Sequence, residues 1–323
     1  MLCEAIYLLF ALYVIYLIID YVIRLPKIQS YHDKYVFVTG CDSGFGKMIS
    51  IRLDTLGFHV FSGCLTEGGL EQLKSETSQR LTPFRLDVTK EESIKDAYDL
   101  INSKIPADKG LWAVINNAGI GGGAAPTPWL ITEDFRAAMN VNFFPLVEIS
   151  TRFLPLLESA NGRIINMASV LGRFSFQGLA PYVSSKYAVE GMSDAYRRCL
   201  KPHGVSVHLI EPGFFKTNIT NIVENKRRFM QMWTRLNSRL KNQYPLTIVQ
   251  KYTAGLSAKM DKLCSSDVSK VVSAYERAVT DLRPRARYVV GYDAKYIFLV
   301  LQALPEWISD YLMTRVDMKP VTQ

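Results

Sequence analysis

Short apolar runs alternate along the chain with longer segments in which apolar residues recur at helical spacing. The runs predict buried strands at 34–40, 59–65, 81–88, 111–119, 162–170, 205–213 and 286–291. The segments between them predict helices at 47–58, 69–77, 90–105, 132–159 and 181–204, the fourth interrupted by Pro145 and Pro155. Strands that alternate with such helices form a parallel sheet with helices on both faces. We therefore predict a single α/β domain with a doubly wound, Rossmann-like sheet of about seven strands.

The stretch 214–262 breaks this alternation and is rich in Lys, Arg, Met, Phe and Trp, which predicts a helical insertion. The apolar residues that fall near one helical face, opposite the basic ones, are Phe229, Met230, Trp233, Leu236 and Leu240. Such a helix could be a lid that closes an apolar pocket, or an amphipathic helix packed on the core. Its basic side could also contact an anionic membrane surface.

The N-terminal stretch 5–23 is apolar except for Asp20, and about 20 residues match the thickness of a bilayer core. A cleaved signal peptide is not indicated, because the leading charge is Glu4 and no small-residue cleavage pattern precedes Pro26. We predict a retained membrane anchor over 1–25, with a buried N-terminal helix as the alternative.

The basic residues Arg24, Lys27 and Lys34 all follow the anchor, which predicts that the domain at 26–323 faces the cytosol. If it were lumenal, Asn218 in the sequon NIT could carry a glycan. The apolar tail at 295–313 is too short to span a bilayer, so contact with the membrane surface or docking is expected.

Composition narrows the classes of partner. The net charge of +8 admits an anionic ligand or surface, but no zinc-finger spacing, basic zipper or RNP-like segment indicates nucleic acid. The four histidines are far apart, so no metal site is predicted. The scattered cysteines, which indicate reduced thiols, are Cys3, Cys41, Cys64, Cys199 and Cys264.

The first turn after a strand reads TGCDSGFG, with Gly40, Gly44 and Gly46 at fixed spacing before a helix. Glycines let the backbone approach a pyrophosphate, whose charge meets the N-terminus of the next helix. The turn departs from the G-x-G-x-x-G fingerprint, so an ordinary tight turn is the alternative. Its context between a strand and a helix favours dinucleotide binding.

The end of the second strand distinguishes NAD from NADP in this fold. Here it reads GCLTEGG, with no charge at the tip, Glu67 nearby and Lys74 further along. This favours NAD and leaves NADP possible. Asp87 ends the third strand and NNAG, with Asn117, ends the fourth, at the sheet edge where ligands bind. Turn formation alone could also account for the asparagines.

Tyr182 and Lys186 are four residues apart and share a helix face. A phenol with a pKa of about 10 is a poor base at neutral pH. A neighbouring ammonium and an oxidised nicotinamide ring would both lower that pKa. Ser169, at the end of the fifth strand, could hold the substrate oxygen while Tyr182 moves the proton.

Four motifs together resemble the short-chain dehydrogenase/reductase family over roughly 34–291: TGCDSGFG, NNAG, the Ser169, Tyr182 and Lys186 set, and EPGFFKT. The resemblance implies that Asn142 is a fourth catalytic residue, supporting a water relay to Lys186. It also implies that Pro212, Gly213 and Thr217 contact the nicotinamide. The full implied set of cofactor contacts is Gly40, Ser43, Gly44, Phe45, Gly46, Asp87, Val88, Asn117, Ala118, Gly119, Tyr182, Lys186, Pro212, Gly213 and Thr217.

The chain is most similar to the branch with the microsomal retinol dehydrogenases and 17β-hydroxysteroid dehydrogenase type 6. The quotations that carry this are CLTEGGLEQL, SVLGR, SSKYAVEGMSDAYRR, IEPGFFKT and DYLMTR. The branch implies an enzyme of the endoplasmic reticulum membrane that prefers NAD and oxidises retinol or hydroxysteroids. The family implies a homodimer formed through 132–159 and 181–201. Three departures are Pro181 before the tyrosine, Ala168 in place of a serine, and Gly68 where lysine is frequent.

Two other functions stay open. One is an NADP(H)-dependent reductase of lipid ketones or aldehydes. The other is a catalytically silent, cofactor-binding membrane scaffold, against which the intact set of Asn142, Ser169, Tyr182 and Lys186 argues.

Overall fold

A computed structural model describes residues 2–314, apart from the side chains at 2, 3, 5, 6, 256, 257 and 259. The thiol predicted at Cys3 and the end of the predicted domain, 315–323 with Arg315 of DYLMTR, lie outside this description. The strands are Tyr35–Thr39 (β1), His59–Cys64 (β2), Leu81–Arg85 (β3), Leu111–Asn116 (β4), Arg163–Met167 (β5), Ser206–Pro212 (β6) and Arg287–Val290 (β7).

These strands form a sheet in the order β3-β2-β1-β4-β5-β6-β7, and every neighbouring pair is parallel. The chain reverses its direction of winding between β1 and β4, which opens a crevice at their carboxyl ends. The predicted doubly wound α/β domain is therefore confirmed.

The helices begin and end close to the predicted positions. They are Leu2–Val22 (α1), Gly44–Leu56 (α2), Glu67–Glu76 (α3), Glu91–Lys104 (α4), Thr132–Asn142 (α5), Phe144–Arg152 (α6), Leu154–Ser159 (α7), Ala180–Cys199 (α8), Ile222–Thr234 (α9), Ser238–Gln243 (α10), Leu246–Leu263 (α11), Ser269–Thr280 (α12), Leu299–Ala303 (α13) and Glu306–Met313 (α14). The predicted helix at 132–159 is three helices, since Pro145 and Pro155 lack the N–H that would continue the preceding turn.

Alternate residues of β1 supply the two faces of the sheet. Val36 and Val38 pack with Ile49 of α2 and Tyr275 of α12 on one face. Phe37 packs on the other face, its ring centroid 4.9 Å from that of Phe153. Both faces are buried, which explains why the strands are apolar runs without polar alternation. Buried side chains on both faces therefore fix the positions of the strand ends, where the predicted site residues lie.

The predicted insertion folds as α9, α10 and α11 and forms a separate apolar core. Phe229, Leu240 and Tyr244 are buried against Trp129, which follows β4. The ring centroids of Trp129 and Phe229 are 5.0 Å apart. Arg235, just after α9, pairs with the Asp134 carboxylate and donates to the Trp129 carbonyl. The insertion therefore packs through its apolar face and also forms a wall of the crevice, and its role as a lid stays a prediction.

Most side chains of α1 are exposed, including Leu9, Phe10 and Ile18. The alternative prediction of a buried N-terminal helix is wrong, because only Asp20 is buried among the α1 side chains that are described. Asp20 pairs with Arg24 and with Arg285, just before β7. Among the residues whose side chains are described, no helix is both long enough and apolar enough to cross a bilayer.

The tail forms a π-helical turn, Ala294–Phe298, and then α13 and α14. Phe298 is buried, with its ring centroid 5.8 Å from that of Phe174 and 5.7 Å from that of Phe214. Val300 and Trp307 are exposed. The tail thus docks on the domain through one face and leaves apolar side chains on the other.

Candidate active site

A cavity of about 620 Å³ opens at the carboxyl ends of the strands and runs from the glycine turn to the insertion. All the predicted catalytic and cofactor-binding residues line it except two, Gly46 and Asn142. Both contact lining residues, Gly46 the carbonyl of Gly40 and Asn142 the backbone of Ile120. The structure therefore brings the predicted site residues together, and their roles remain predictions.

The glycine turn has the backbone that its sequence indicates. Gly40 has φ +70°, and a Cβ there would lie 2.7 Å from the Cα of Ala118. A Cβ at Gly46 would lie 2.2 Å from the carbonyl oxygen of Gly40. By contrast, a Cβ at Gly44 would meet no described atom within 4 Å. Since α2 begins at Gly44, the turn is an open cradle for an anion at a helix N-terminus.

Asn117 fastens this turn to the end of β4. Its amide nitrogen donates to the carbonyl oxygens of Thr39 at 3.0 Å and Gly40 at 3.1 Å. Its amide oxygen accepts from the Tyr275 hydroxyl at 3.1 Å. The backbone N–H of Ala118 donates to the Thr39 hydroxyl at 3.0 Å. Asn117 therefore shapes the cradle through its side chain, beyond the turn chemistry that its sequence alone suggests.

Two carboxylates lie at the far end of the cavity, and the sequence indicated only one of them. Asp87 accepts from the N–H and hydroxyl of Thr89, and that hydroxyl bond does most to lower the pKa of the Asp87 carboxyl. Asp42, inside the glycine turn, accepts from the backbone N–H groups of Leu65 and Thr66. The residues at the tip of β2 are uncharged, and the Asp42 carboxylate of the turn after β1 lies against them.

The reactive side chains meet where β5 and β6 end. Tyr182 lies in the first turn of α8, and the Lys186 amine is 5.7 Å from the centroid of its ring. That amine donates to the Met167 carbonyl, the last residue of β5, at 2.8 Å. Ser169 accepts from the Leu171 N–H at 3.1 Å and donates to the Pro212 carbonyl at 3.4 Å. Strand ends therefore fix both the serine and the lysine.

Asn142 ends α5 and is fully buried. Its amide bonds the backbone N–H of Ile120 at 2.8 Å and the Ile120 carbonyl at 3.0 Å, and donates to the Ser185 hydroxyl at 2.9 Å. Ser185 in turn donates to the Tyr182 carbonyl at 2.7 Å. Asn142 thus ties the loop after β4 to the turn that carries Tyr182. Ser185 was not identified from the sequence, where a serine on a helix gives no signal.

Burial dominates the electrostatics of the site. It raises the pKa of Tyr182 to about 12, opposed by the nearby Ser169 hydroxyl. It lowers the pKa of Lys186 to about 8, opposed by the carboxylate of Glu190. Among the described side chains, burial therefore raises the pKa of Tyr182, and the fall predicted from the sequence would depend on the oxidised nicotinamide ring.

The outer wall of the cavity is apolar, and helices of the insertion contribute much of it. Phe229, Tyr252 and Leu263 line it from α9 and α11, and Phe176 and Phe214 from the loops below. At the base of the insertion, the Asn218 amide donates to the Ser43 hydroxyl of the glycine turn at 2.8 Å. The sequon residue therefore lies at the rim of the crevice.

Comparison with known proteins identifies the family. A sequence profile described as short chain dehydrogenase matches residues 34–228. The chain therefore belongs to the short chain dehydrogenase family, and the predicted oxidoreductase class is confirmed.

Curated relatives lie in the predicted branch. Retinol dehydrogenase 16 of Rattus norvegicus is 41% identical, over 92% of this chain and 93% of that protein. The 17-beta-hydroxysteroid dehydrogenase type 6 of Homo sapiens is 41% identical, over 89% of this chain and 90% of that protein. Dehydrogenase/reductase SDR family member 9 of Homo sapiens is 42% identical, over 90% of each.

Solved structures share the fold. A short chain dehydrogenase/reductase from Burkholderia phymatum, in complex with NAD, has a TM-score of 0.69 at 21% identity and covers 92% of this chain and 100% of that chain. One from Burkholderia cenocepacia, in complex with NADP, has a TM-score of 0.63 at 23% identity and covers 87% of this chain and 97% of that chain.

Proposed function

We propose that this chain is an NAD-dependent dehydrogenase that oxidises a hydrophobic alcohol of the retinol or hydroxysteroid type, with Tyr182 as general base. The observation that carries the proposal is that Ser169, Tyr182 and Lys186 share one cavity with an open glycine turn at one end and an apolar wall at the other.

The residues at the inner end fit a dinucleotide. Gly44 leaves room for the pyrophosphate beside the N-terminus of α2, and Asp87 and Val88 line the adenosine end. Pro212, whose carbonyl accepts from Ser169, and Thr217 also line the cavity, and the nicotinamide would lie beside them. When bound, the dinucleotide supplies the carbon that accepts the hydride. Complexes of the two Burkholderia proteins with NAD and NADP support a nicotinamide dinucleotide as the cofactor.

The chain's own residues would then move one proton. Ser169 would hold the substrate oxygen, and Tyr182 would take the alcohol proton during oxidation and return it during reduction. Lys186, held by the Met167 carbonyl at 2.8 Å, would set its charge beside the phenol. Since burial alone raises the pKa of Tyr182 to about 12, the base needs further positive charge close to the ring.

The apolar wall supports a lipid alcohol as substrate. Pockets for such ligands are lined mainly by apolar and aromatic side chains with few polar groups. Phe176, Phe214 and Phe229 line the cavity together with the catalytic set. The names of the relatives, retinol dehydrogenase 16 and 17-beta-hydroxysteroid dehydrogenase type 6, support the same substrate class.

We also propose that the chain is held on the endoplasmic reticulum membrane with its domain in the cytosol. The exposed apolar side chains of α1 and the exposed Trp307 of α14 support this, as do Arg24 and Lys27 after α1. A variant lacking 1–23 should leave the membrane fraction. Its full retention would move the attachment to 295–313.

A homodimer is proposed from the family resemblance. The exposed Phe144 on α6 and Tyr187 on α8, within the segments 132–159 and 181–201, support it. Cross-linking with mass analysis in detergent tests this, and a purely monomeric species would overturn it.

Turnover by the Tyr182→Phe variant tests the central proposal. Membranes containing the full chain are supplied with retinol or a hydroxysteroid and with NAD⁺ or NADP⁺. We expect the variant to lose about 10³-fold in turnover while still binding the dinucleotide. The control is Tyr98→Phe on α4, which removes a phenol hydroxyl outside the cavity lining.

Retained turnover by Tyr182→Phe would contradict the assigned base. Faster reduction of ketones or aldehydes with NADPH would favour the lipid reductase. Dinucleotide binding without turnover of any lipid by the wild type would favour the silent scaffold.

A further inference from the structure

The end of the cavity near the tip of β2 carries a carboxylate, Asp42, that is distant from this tip along the chain. In this fold an acidic residue at the end of the second strand binds the ribose hydroxyls of NAD. Here that position is occupied by Leu65 and Thr66, neither of which is charged. The structure brings the Asp42 carboxylate to the same place from the turn after β1.

Three hydrogen bonds fix this carboxylate. One oxygen of Asp42 accepts from the Leu65 N–H at 2.7 Å, and the other accepts from the Thr66 N–H at 2.7 Å and the Thr66 hydroxyl at 2.6 Å. The approach needs a glycine on α3, because a Cβ at Gly69 would lie 2.7 Å from the Asp42 oxygen. Asp42 and Leu65 both line the cavity, as does Asp87 on the neighbouring strand end.

We infer that Asp42 makes the chain select NAD over NADP, an inference that rests on the proposed function. Its carboxylate would lie beside the 2′-oxygen of the adenosine ribose, where NADP carries a phosphate of like charge. Asp42 also occupies the N–H groups of Leu65 and Thr66, which a phosphate at the start of α3 would need as donors.

The cations around Asp87 and on the first turns of α2 lie outside the cavity lining. Arg85 and Lys90 lie close enough to Asp87 to lower the pKa of its carboxyl. Neither of them lines the cavity. Lys47, on the first turns of α2, is paired with Glu76 at 2.9 Å. In the described part of the chain, the cations that line the cavity are Lys186 on α8 and Lys226 and Arg228 on α9, and the charge at the tip of β2 is the negative one of Asp42.

Direct binding tests the inference without turnover. The full chain in detergent is titrated with NADH and with NADPH, and the fluorescence of the reduced nicotinamide gives each dissociation constant. The wild type should prefer NADH. In Asp42→Asn and Asp42→Ser the NADPH-to-NADH ratio of dissociation constants should fall by about tenfold or more, since a unit charge beside a phosphate is removed.

The control is Glu67→Gln, which removes an exposed negative charge on the first turn of α3, outside the cavity lining. Its ratio should match that of the wild type. A fall in both Asp42 variants with an unchanged Glu67→Gln supports the inference. An unchanged ratio in the Asp42 variants, or an equal fall in Glu67→Gln, overturns it.

A second measurement needs no variant, in case loss of the three bonds unfolds the loop. Competition against NADH on the wild type should show ADP displacing it at about tenfold lower concentration than 2′,5′-ADP. Equal displacement, or a wild type that binds NADPH as tightly as NADH, overturns the role of Asp42 and leaves the proposed function intact. A wild type that binds neither dinucleotide instead refutes the proposed function.

Discussion

Lys186 is a buried cation that the fold holds at a cost in stability. It is 2% exposed, and its amine donates to the carbonyl of Met167. Replacing it with methionine keeps the apolar stem at similar length and removes the charge. We expect Lys186→Met to be at least as stable as the wild type at neutral pH while losing about hundredfold or more in turnover.

The magnitude follows from the pKa of the amine. Burial lowers it from 10.5 to about 8, which corresponds to about 3 kcal/mol of destabilisation while the amine is charged. The substitution removes this penalty but leaves the Met167 carbonyl without its donor, at a cost of about 1–3 kcal/mol. Below about pH 8 the two effects leave the variant more stable by about 0–2 kcal/mol.

The dependence on pH has a definite sign. Between pH 8 and 10.5 the unfolded chain holds more protons at this lysine than the folded chain does, so the lysine's contribution to stability rises with pH. The advantage of Lys186→Met should therefore shrink by about 3 kcal/mol from neutral pH to about pH 10.5. Other groups that titrate in this range, such as Cys64 with its raised pKa, are common to both proteins and cancel in the difference.

Denaturant unfolding of both proteins in the same detergent, at about pH 7 and about pH 10, gives the difference in unfolding free energy. Lys95→Met is the control, because Lys95 is exposed and pairs only loosely with Glu92 at 3.4 Å. A difference for Lys186→Met that stays constant with pH would refute the assignment of a lowered pKa. A loss of well over about 3 kcal/mol at neutral pH would mean that the hydrogen bond outweighs the burial cost.

Three further outcomes follow from other parts of the structure. Burial, and next the charge of Arg163, lower the pKa of His208 from 6.5 to about 3. The free energy of unfolding should therefore fall by up to about 5 kcal/mol as the pH falls through this range. In His208→Gln the denaturant midpoint should change less with pH over the same range. Gly46→Ala should weaken NADH binding by about tenfold or more, because its Cβ would lie 2.2 Å from the carbonyl oxygen of Gly40. Gly68→Ala on α3, where a Cβ meets no described atom within 4 Å, should bind NADH like the wild type in the same titration. Arg235→Met frees the insertion from Asp134 and should raise KM for the apolar alcohol several-fold with NADH affinity unchanged; equal changes in both would contradict a role confined to the insertion.

The sequence predicts the sheet well because both of its faces are buried. Each strand is then an apolar run, and the carboxyl ends of the runs fall at one edge. The predicted strand ends are less accurate where apolar residues continue beyond the last residue that pairs with a neighbouring strand. The strand predicted at 81–88 ends at Arg85, because Asp87 accepts from the N–H of Thr89 and turns the chain there. Leu86 and Val88 are buried outside the sheet, which an apolar pattern cannot distinguish from a strand.

The reactive set was predictable because each member lies at a strand end or on the next helix face. Asp42 was not found, because its partners Leu65 and Thr66 are 23 and 24 residues away and meet it only in the fold. The available signal was an acid inside the glycine turn, combined with an uncharged end of the second strand. The raised pKa of Tyr182 was also missed, because a spacing of residues does not report how deeply a phenol is buried.

The insertion carries its own apolar core, in which Trp129, Phe229, Leu240 and Tyr244 pack apart from the two faces of the sheet. Substitutions among the neighbouring wall residues can therefore accumulate without loosening the sheet on which Tyr182 and Lys186 depend. The shape of the apolar wall can vary in this way while the positions of Tyr182 and Lys186 are preserved. Related chains that share this sheet can thus differ in the shape of the molecule that their cavities accept.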